Sequence, residues 1–240
     1  MYEQIRKEIA SDSFYGNNFP NEGQQFVAWY LRRVLLLDVH ATRAAITDGQ
    51  LDKQIDAIVV EDGDDRRVRV IQGKFTKPSQ VDAAPVREVL SAWERLRDLP
   101  SLQVECSGRL AERLETMRLA LEEDYEVQFE LLATGSLTPA ALTDVDAFKK
   151  LMSESTELSA GLTVVDSDLI ETRLSEAGTE RPAGAECLHS ARPESVHRVH
   201  RSWCKSRDCD AAGGAMPEAS GDSGPKALQT KRPSKSWTRE

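Results

Sequence analysis

The chain has 240 residues, of which 40% are hydrophobic and 30% charged, and this composition is typical of a globular protein. Its formal net charge of −9 at pH 7 argues against a protein that coats nucleic acid non-specifically, but it does not exclude an enzyme that acts on DNA through a local patch. No apolar run reaches the length of a membrane span, the N-terminus lacks the apolar core of a signal peptide and the cysteines have no disulfide-like spacing, so we expect a cytoplasmic protein without a membrane partner.

The N-terminal part of the chain predicts two helices separated by a loop. Apolar residues one turn apart in residues 2–12 predict a short amphipathic helix. The Gly, Asn and Pro content of the next segment, Ser13 to Asn21, predicts a loop. Asn21 is a candidate N-cap, with Gln24 three residues later as a capping-box partner. The helix that follows has hydrophobic residues near 3.6-residue spacing, and they are Phe26, Tyr30, Leu31, Val34 and Leu35.

Two apolar segments, residues 53–60 and 67–75, predict short strands. The segment EDGDD between them has the Gly and Asp content of a turn, so we expect the strands to form a hairpin. Each strand nevertheless carries polar residues, namely Asp56 in the first and Gln72 and Lys74 in the second. A buried charge costs on the order of several kcal/mol unless it is paired or binds a metal, so these positions require a specific explanation.

The pattern after the hairpin continues with helices and strands up to Ser175. Helices are predicted over residues 85–99, 109–123 and 139–152, and strands over residues 125–135 and 161–168. This order predicts the α/β class, with a mixed sheet whose central hairpin is flanked by helices.

The composition changes abruptly near Ser175. Residues 176–240 contain no Ile, Phe or Tyr and only two Leu, and they are rich in Ala, Gly, Ser, Pro and Arg. Such a segment buries too little apolar surface to offset the entropy of ordering it. The sequence therefore predicts a domain over residues 1–175 and a disordered tail over residues 176–240.

The polar residues of the hairpin are expected to lie together. Residues i and i+2 of a strand point to the same face, so Gln72 and Lys74 project together. Folding the hairpin about Gly63 brings Asp56 opposite Ile71 and Gln72. Glu22, at the start of the preceding helix, is a candidate to complete the cluster.

This set of groups suits a divalent cation and phosphate chemistry. Carboxylate oxygens of Glu22 and Asp56 and the amide oxygen of Gln72 are the ligands that Mg²⁺ or Mn²⁺ prefers. The ammonium of Lys74 is suited to orient or activate a water and to stabilise negative charge on a phosphate. The pattern therefore predicts phosphodiester hydrolysis, with these four residues as the catalytic set.

The same residues resemble the PD-(D/E)XK nuclease superfamily, in the Mrr-like QxK variant in which Gln replaces the first acid of the (D/E)XK element. In this chain the pattern is Glu22, then Asp56, then Gln72-Gly73-Lys74. A helix with an early acid, the segment GQLDKQIDAIVV and a hairpin into VIQGKF are similar to the N-terminal part of the AIPR family of abortive-infection phage-resistance proteins. The resemblance covers roughly residues 1–175.

The resemblance implies a restriction-endonuclease-like core and a metal-dependent nuclease of anti-phage defence, acting on nucleic acid, with DNA favoured over RNA. It also allows a homodimer, as in many enzymes of this superfamily. The chain departs from the family after the first region, because AIPR proteins are usually longer. A truncation or a shifted reading frame is one explanation, since Ala227 to Trp237 permits codons that, read one nucleotide later, encode a segment similar to an LFR-NVR motif of the family's later region.

Other interpretations of these residues stay open. Asp56 and Lys74 also fit a salt bridge at a sheet edge, where charges discourage aggregation. An acid in the first turn of a helix, such as Glu22, is stabilised by the helix dipole whatever its function. The alternatives to a nuclease are therefore a non-catalytic scaffold that binds nucleic acid or a partner, and a truncated product without activity.

Overall fold

The computed structural model describes residues 1–47, 53–63, 66–77 and 80–180. The helices of these residues are α1 (Tyr2–Ser11), α2 (Ser13–Asn18), α3 (Glu22–Arg33), α4 (Val39–Ala45), α5 (Ala84–Leu96), α6 (Leu99–Glu105), α7 (Gly108–Glu122), α8 (Pro139–Ser153) and α9 (Ser167–Glu180). The strands are β1 (Ala57–Glu61), β2 (Arg67–Lys74), β3 (Glu126–Ala133) and β4 (Ala160–Val165). None of the described helices is long and apolar enough to cross a membrane.

The four strands form one mixed sheet in the order β1-β2-β3-β4. β1 and β2 are antiparallel and form the predicted hairpin, with Ala57 opposite Ile71. β2, β3 and β4 are parallel, and helices connect them, as parallel neighbours require. The predicted α/β class and the mixed sheet flanked by helices are thus confirmed. The predicted central position of the hairpin is wrong, because β1 is an edge strand of the described sheet.

Each face of the sheet has its own hydrophobic core. On one face, here called the α5 face, Val68 and Val70 of β2 belong to a core that includes Trp93 of α5. On the other, the α3 face, Ile71 of β2 belongs to a core that includes Phe26 of α3. Successive residues of β2 therefore point to different helices, as the twofold period of a strand dictates.

Local contacts decide where the N-terminal helices begin. Asn21 accepts a hydrogen bond from the Gln24 N–H at 2.8 Å, which confirms the predicted N-cap of α3. The loop predicted over residues 13–21 is wrong for its first part, which forms α2. The Asp12 carboxylate caps this helix by accepting from the Phe14 N–H at 2.9 Å, and Tyr15 is buried. These contacts outweigh the low helix propensity of its Gly and Asn residues.

Two other predicted boundaries differ from the structure. The strand predicted from residue 53 begins only at Ala57, because Lys53 and Gln54 adopt positive φ angles of 54° and 68°, which interrupt an extended strand. The helix predicted over residues 85–99 is two helices, since the Asp98 carboxylate accepts from the Ser101 N–H at 3.2 Å and starts α6.

The C-terminal helix α9 was not apparent in the sequence pattern. The Asp166 carboxylate accepts from the Leu169 N–H at 3.0 Å, and Ile170 is fully buried. The helix continues to Glu180 and so extends past the predicted domain boundary at Ser175. Residues 181–240 of the predicted tail, including those on which the reading-frame hypothesis depends, lie outside the described residues.

Candidate active site

Gln72 and Lys74 lie near the C-terminal end of β2, on the α5 face. They alternate with Ile71 and Gly73, which belong to the α3 face. β1 begins opposite Ile71, so this end of β2 extends beyond the regular β1 pairing. The side chain of Gln72 is buried, whereas that of Lys74 is 28% exposed. The two residues therefore stand at the boundary between the core and the protein surface.

Asp56 lies beside the Gln-Gly-Lys segment, as the hairpin pattern predicts. The β1–β2 register, continued by one residue, places Asp56 opposite Gln72. Its N–H donates to the Ile71 carbonyl at 2.9 Å, and its carboxylate Oδ2 accepts from the Gly73 N–H at 2.7 Å. The carboxylate thus takes over a backbone hydrogen bond where the regular strand pairing ends. Its role as a metal ligand stays a prediction.

Gly73 is required by the close approach of α3. A Cβ atom at this position would lie 2.5 Å from Val27 Cγ2 and 3.7 Å from Phe26 Cδ1. Because Val27 is buried and β-branched, it has little freedom to move aside. The Gly between Gln72 and Lys74 therefore has a packing role that is independent of any chemistry.

The Oε1 atom of Gln72 is buried, and no hydrogen-bond donor among the described residues reaches it. Such an atom costs about 1–3 kcal/mol when it stays unpaired. Unpaired buried polar atoms are uncommon in native proteins and call for a specific reason, such as an ion or a water. An amide oxygen in this setting fits a hard cation such as Mg²⁺, which binds oxygen ligands.

Lys74 is paired with an acid that the sequence pattern did not single out. Its Nζ lies 2.5 Å from Oε2 of Glu88, on α5, and the Glu88 side chain is 32% exposed. Glu88 lies at the border of the buried face of α5, beside Val89, and the helical pattern does not mark it as a partner of a residue in β2. Only the packing of α5 against the sheet shows that it reaches Lys74.

Glu22 is not brought into contact with the other predicted site residues. It is the first residue of α3, its side chain is 65% exposed, and its ion-pair partner among the described residues is Arg6, at 4.0 Å. Glu22 does lie one turn before Phe26, whose ring stacks on Phe75 with centroids 4.9 Å apart. Glu22 therefore belongs to the helix that packs against this end of the sheet. Its role as a metal ligand stays a prediction.

The donor set is small but compatible with Mg²⁺. Among the described residues, no group of three or more His, Cys, Asp and Glu side chains could hold a metal ion. Mg²⁺ usually keeps several waters and is bound through one or two carboxylates, so a site built on Asp56 and the Gln72 amide does not need such a group. The residues present therefore fit Mg²⁺ better than a metal that demands a complete protein cage.

A second polar cluster, on the α3 face, has no counterpart in the predicted site. The fully buried carboxylate of Glu130 accepts hydrogen bonds from Tyr30, Arg69 and Arg173. Burial, reinforced by the charge of Glu130, raises the pKa of Tyr30. Burial alone would lower the pKa of Arg69, but its hydrogen bond to Glu61 and the charge of Glu130 outweigh this effect and raise it. The cluster is neutralised internally, which is typical of a structural network.

Comparison with known proteins adds no identification. No family model matches the chain, and neither a curated protein nor a solved structure matches it.

Proposed function

We propose that this chain is a metal-dependent nuclease that hydrolyses phosphodiester bonds, in DNA rather than RNA, and that it acts in phage defence of the abortive-infection kind. The observation that carries the proposal is the buried Oε1 of Gln72, which has no hydrogen-bond partner in the described part of the chain. Gln72 lies two residues before Lys74 and opposite Asp56 in the hairpin. If Gln72 had no role in binding a cation, an apolar residue at this position would make the protein more stable.

The architecture supports the restriction-endonuclease-like part of the proposal. The resemblance implies a mixed sheet with a central hairpin and flanking helices, preceded by a helix with an early acid. The chain has α3 before the β1–β2 hairpin and then parallel β3 and β4 with helices on both faces, and its hairpin lies at the edge of the described sheet rather than at its centre. The homodimer that the resemblance allows stays a prediction.

Each residue has a defined task in this proposal. Asp56 and Gln72 would hold Mg²⁺ or Mn²⁺, with Glu22 as the third ligand that the sequence pattern assigns. The cation supplies a Lewis acid that neutralises phosphate charge. Lys74 orients the attacking water and stabilises the negative charge that develops on the phosphate oxygens. Its partial exposure leaves this ammonium accessible to a substrate at the surface.

A specific observation favours one alternative, a non-catalytic nuclease-like scaffold. The Asp56 carboxylate accepts from the Gly73 N–H, and Lys74 is paired with Glu88, so both charged residues have structural partners. In a scaffold they would serve only to end the strand pairing and to protect the sheet edge.

The experiment that separates the two is a titration of the full-length chain with Mg²⁺ or Mn²⁺, following thermal stability and nicking of plasmid DNA together. We expect the ion to stabilise the fold, by about 2.7 kcal/mol at a hundredfold excess over its Kd, and to permit nicking. Asp56→Asn should lose both effects, because the amide still accepts from Gly73 but carries no charge. The exposed Asp146→Asn is the matched control. A stable fold that neither binds the ion nor nicks DNA would favour the scaffold.

A further inference from the structure

We infer that Glu88 is a further ligand of the divalent cation at this site, an inference that rests on the proposed function. The starting observation is its distance of 2.5 Å from Lys74, the residue that the pattern assigns to the attacking water. Glu88 comes from α5, a helix that the resemblance does not assign to the site.

Glu88 lies on the correct face of the sheet. Gln72 and Lys74 point to the α5 face, and the Glu88 carboxylate approaches Lys74 from that side. Glu22, in contrast, comes from α3, which packs on the opposite face against Gly73. Of Glu22 and Glu88, Glu88 is therefore the acid whose helix covers the face to which the Gln72 side chain points.

The Glu88 carboxylate has capacity for a cation. Its one ion pair among the described residues is with Lys74, through Oε2, and its carboxylate accepts no further hydrogen bond from them. A carboxylate offers about four acceptor positions, so most of its acceptor capacity is available to a cation or to waters bound to it. Its partial exposure, 32%, leaves a route by which a hydrated cation enters from solvent.

Charge balance also favours a second acid at this end of the sheet, where the Asp56 carboxylate lies beside Gly73, 3.6 Å from the position that a Cβ would take there. With Asp56 alone, the positive charge of Lys74 would cancel the attraction of the site for a divalent cation. Glu88 offsets the charge of Lys74, so that Asp56, Lys74 and Glu88 together carry a net charge of about −1 at neutral pH. A site with this balance attracts Mg²⁺ while it keeps the ammonium that the reaction needs.

The test is binding of Mn²⁺ to the full-length chain without nucleic acid, measured by the paramagnetic resonance signal of free Mn²⁺. We expect Glu88→Gln to weaken the binding about tenfold or more, as loss of a metal-site residue does. The matched control is Glu94→Gln on the same helix, which is exposed and should bind as the wild type does. Far-ultraviolet circular dichroism checks that each variant is folded.

The same substitution, made in a Lys74→Met variant, distinguishes a metal ligand from a residue that only neutralises Lys74. If Glu88 binds the cation, Glu88→Gln should still weaken Mn²⁺ binding when Lys74→Met is already present. If it only neutralises Lys74, the substitution will have no effect in that background, and this result would overturn the inference.

The remaining outcomes distinguish the inference from the proposed function. Wild-type binding that Asp56→Asn abolishes but Glu88→Gln leaves unchanged would overturn the role of Glu88 alone. Loss of binding in Glu22→Gln with full binding in Glu88→Gln would assign the second carboxylate to Glu22 and would also overturn it. A wild-type chain that does not bind Mn²⁺ would overturn both the inference and the proposed metal site.

Discussion

Arg69 of β2 and Glu130 of β3 form an ion pair in which Nη1 lies 2.5 Å from Oε1, although the Glu130 side chain is fully buried. Arg173 of α9 and Tyr30 of α3 bind the same carboxylate, at 2.9 Å and 3.0 Å. A buried charge of this kind persists only when several donors compensate it. The cluster therefore ties α3 and α9 to the sheet through one side chain.

Removal of the Glu130 carboxylate should strongly destabilise the fold. We expect Glu130→Ala to lower the free energy of unfolding by about 3–5 kcal/mol, because Arg69 and Arg173 are left without a buried counter-charge. Urea unfolding followed by circular dichroism measures this loss. Glu157→Ala is the control, since its pair with Arg97 is largely exposed and should contribute less than about 1 kcal/mol. Equal losses in the two variants would contradict a compensated buried charge.

The stability of the fold should fall in alkaline solution, partly through Tyr30. Its pKa is raised by burial and then by the charge of Glu130, so the folded state retains a proton that the unfolded chain releases above about pH 10. The stabilisation is complete below that pH and is lost as the pH rises further, by up to about 1.4 kcal/mol per pH unit. Tyr30→Phe cannot ionise and should lose less stability between pH 9 and pH 11. Parallel pH profiles for the two proteins would refute this role.

Gly73→Ala should destabilise the chain through a clash with α3. The added Cβ would lie 2.5 Å from Val27 Cγ2, and we expect a loss of about 1–3 kcal/mol, as for other overpacked cores. Gly161→Ala is the comparison and should cost less, because its nearest neighbour is the end of the flexible Gln128 side chain, which can move aside at the loss of its hydrogen bond to the Thr163 hydroxyl. Val27→Ala should relieve part of the Gly73→Ala loss, and strictly additive losses in the double variant would count against the clash.

Gln72→Leu should stabilise the cation-free protein and remove its response to Mg²⁺. The substitution removes an amide oxygen that has no hydrogen-bond partner among the residues that the structure describes, which is worth about 1–3 kcal/mol. Thermal unfolding with and without Mg²⁺ measures both effects. Gln128→Leu is the matched control and should destabilise, because the Gln128 amide donates to the Thr163 hydroxyl at 3.0 Å. A destabilised Gln72→Leu variant would show that the oxygen has a structural partner after all.

Lys74→Ala should abolish nicking of plasmid DNA while the fold stays intact. The ammonium stabilises charge only in the reaction, so we expect a rate loss of at least about 10²–10³-fold. Its ion pair with Glu88 is partly exposed, so its removal should have a small effect on stability. The exposed Lys77→Ala serves as the control for a general loss of positive charge. Nicking at the wild-type rate in Lys74→Ala would remove Lys74 from the catalytic set.

Much of the framework was predictable from periodicity and turn chemistry. The alternation around Asp56 and Gln72 predicted two paired strands, and the register Ala57↔Ile71 agrees with the predicted position of Asp56. The N-cap at Asn21 was equally visible, because a cap is formed within one helical turn. These features depend on residues close in sequence or on one tight hairpin, so the amino-acid order alone determines them.

Other features depend on how distant elements pack. The partner of Lys74 is Glu88, and Arg173 joins Glu130 across 43 residues, yet neither pair has a local pattern that marks it. The position of each partner is decided by which helix covers which face of the sheet, and this follows from burying both apolar faces at once. The sequence by itself therefore determined the strands, the caps and the polar residues of the hairpin. Only the tertiary structure decided which charges meet, because a side chain's partner across elements depends on packing geometry that no local period encodes.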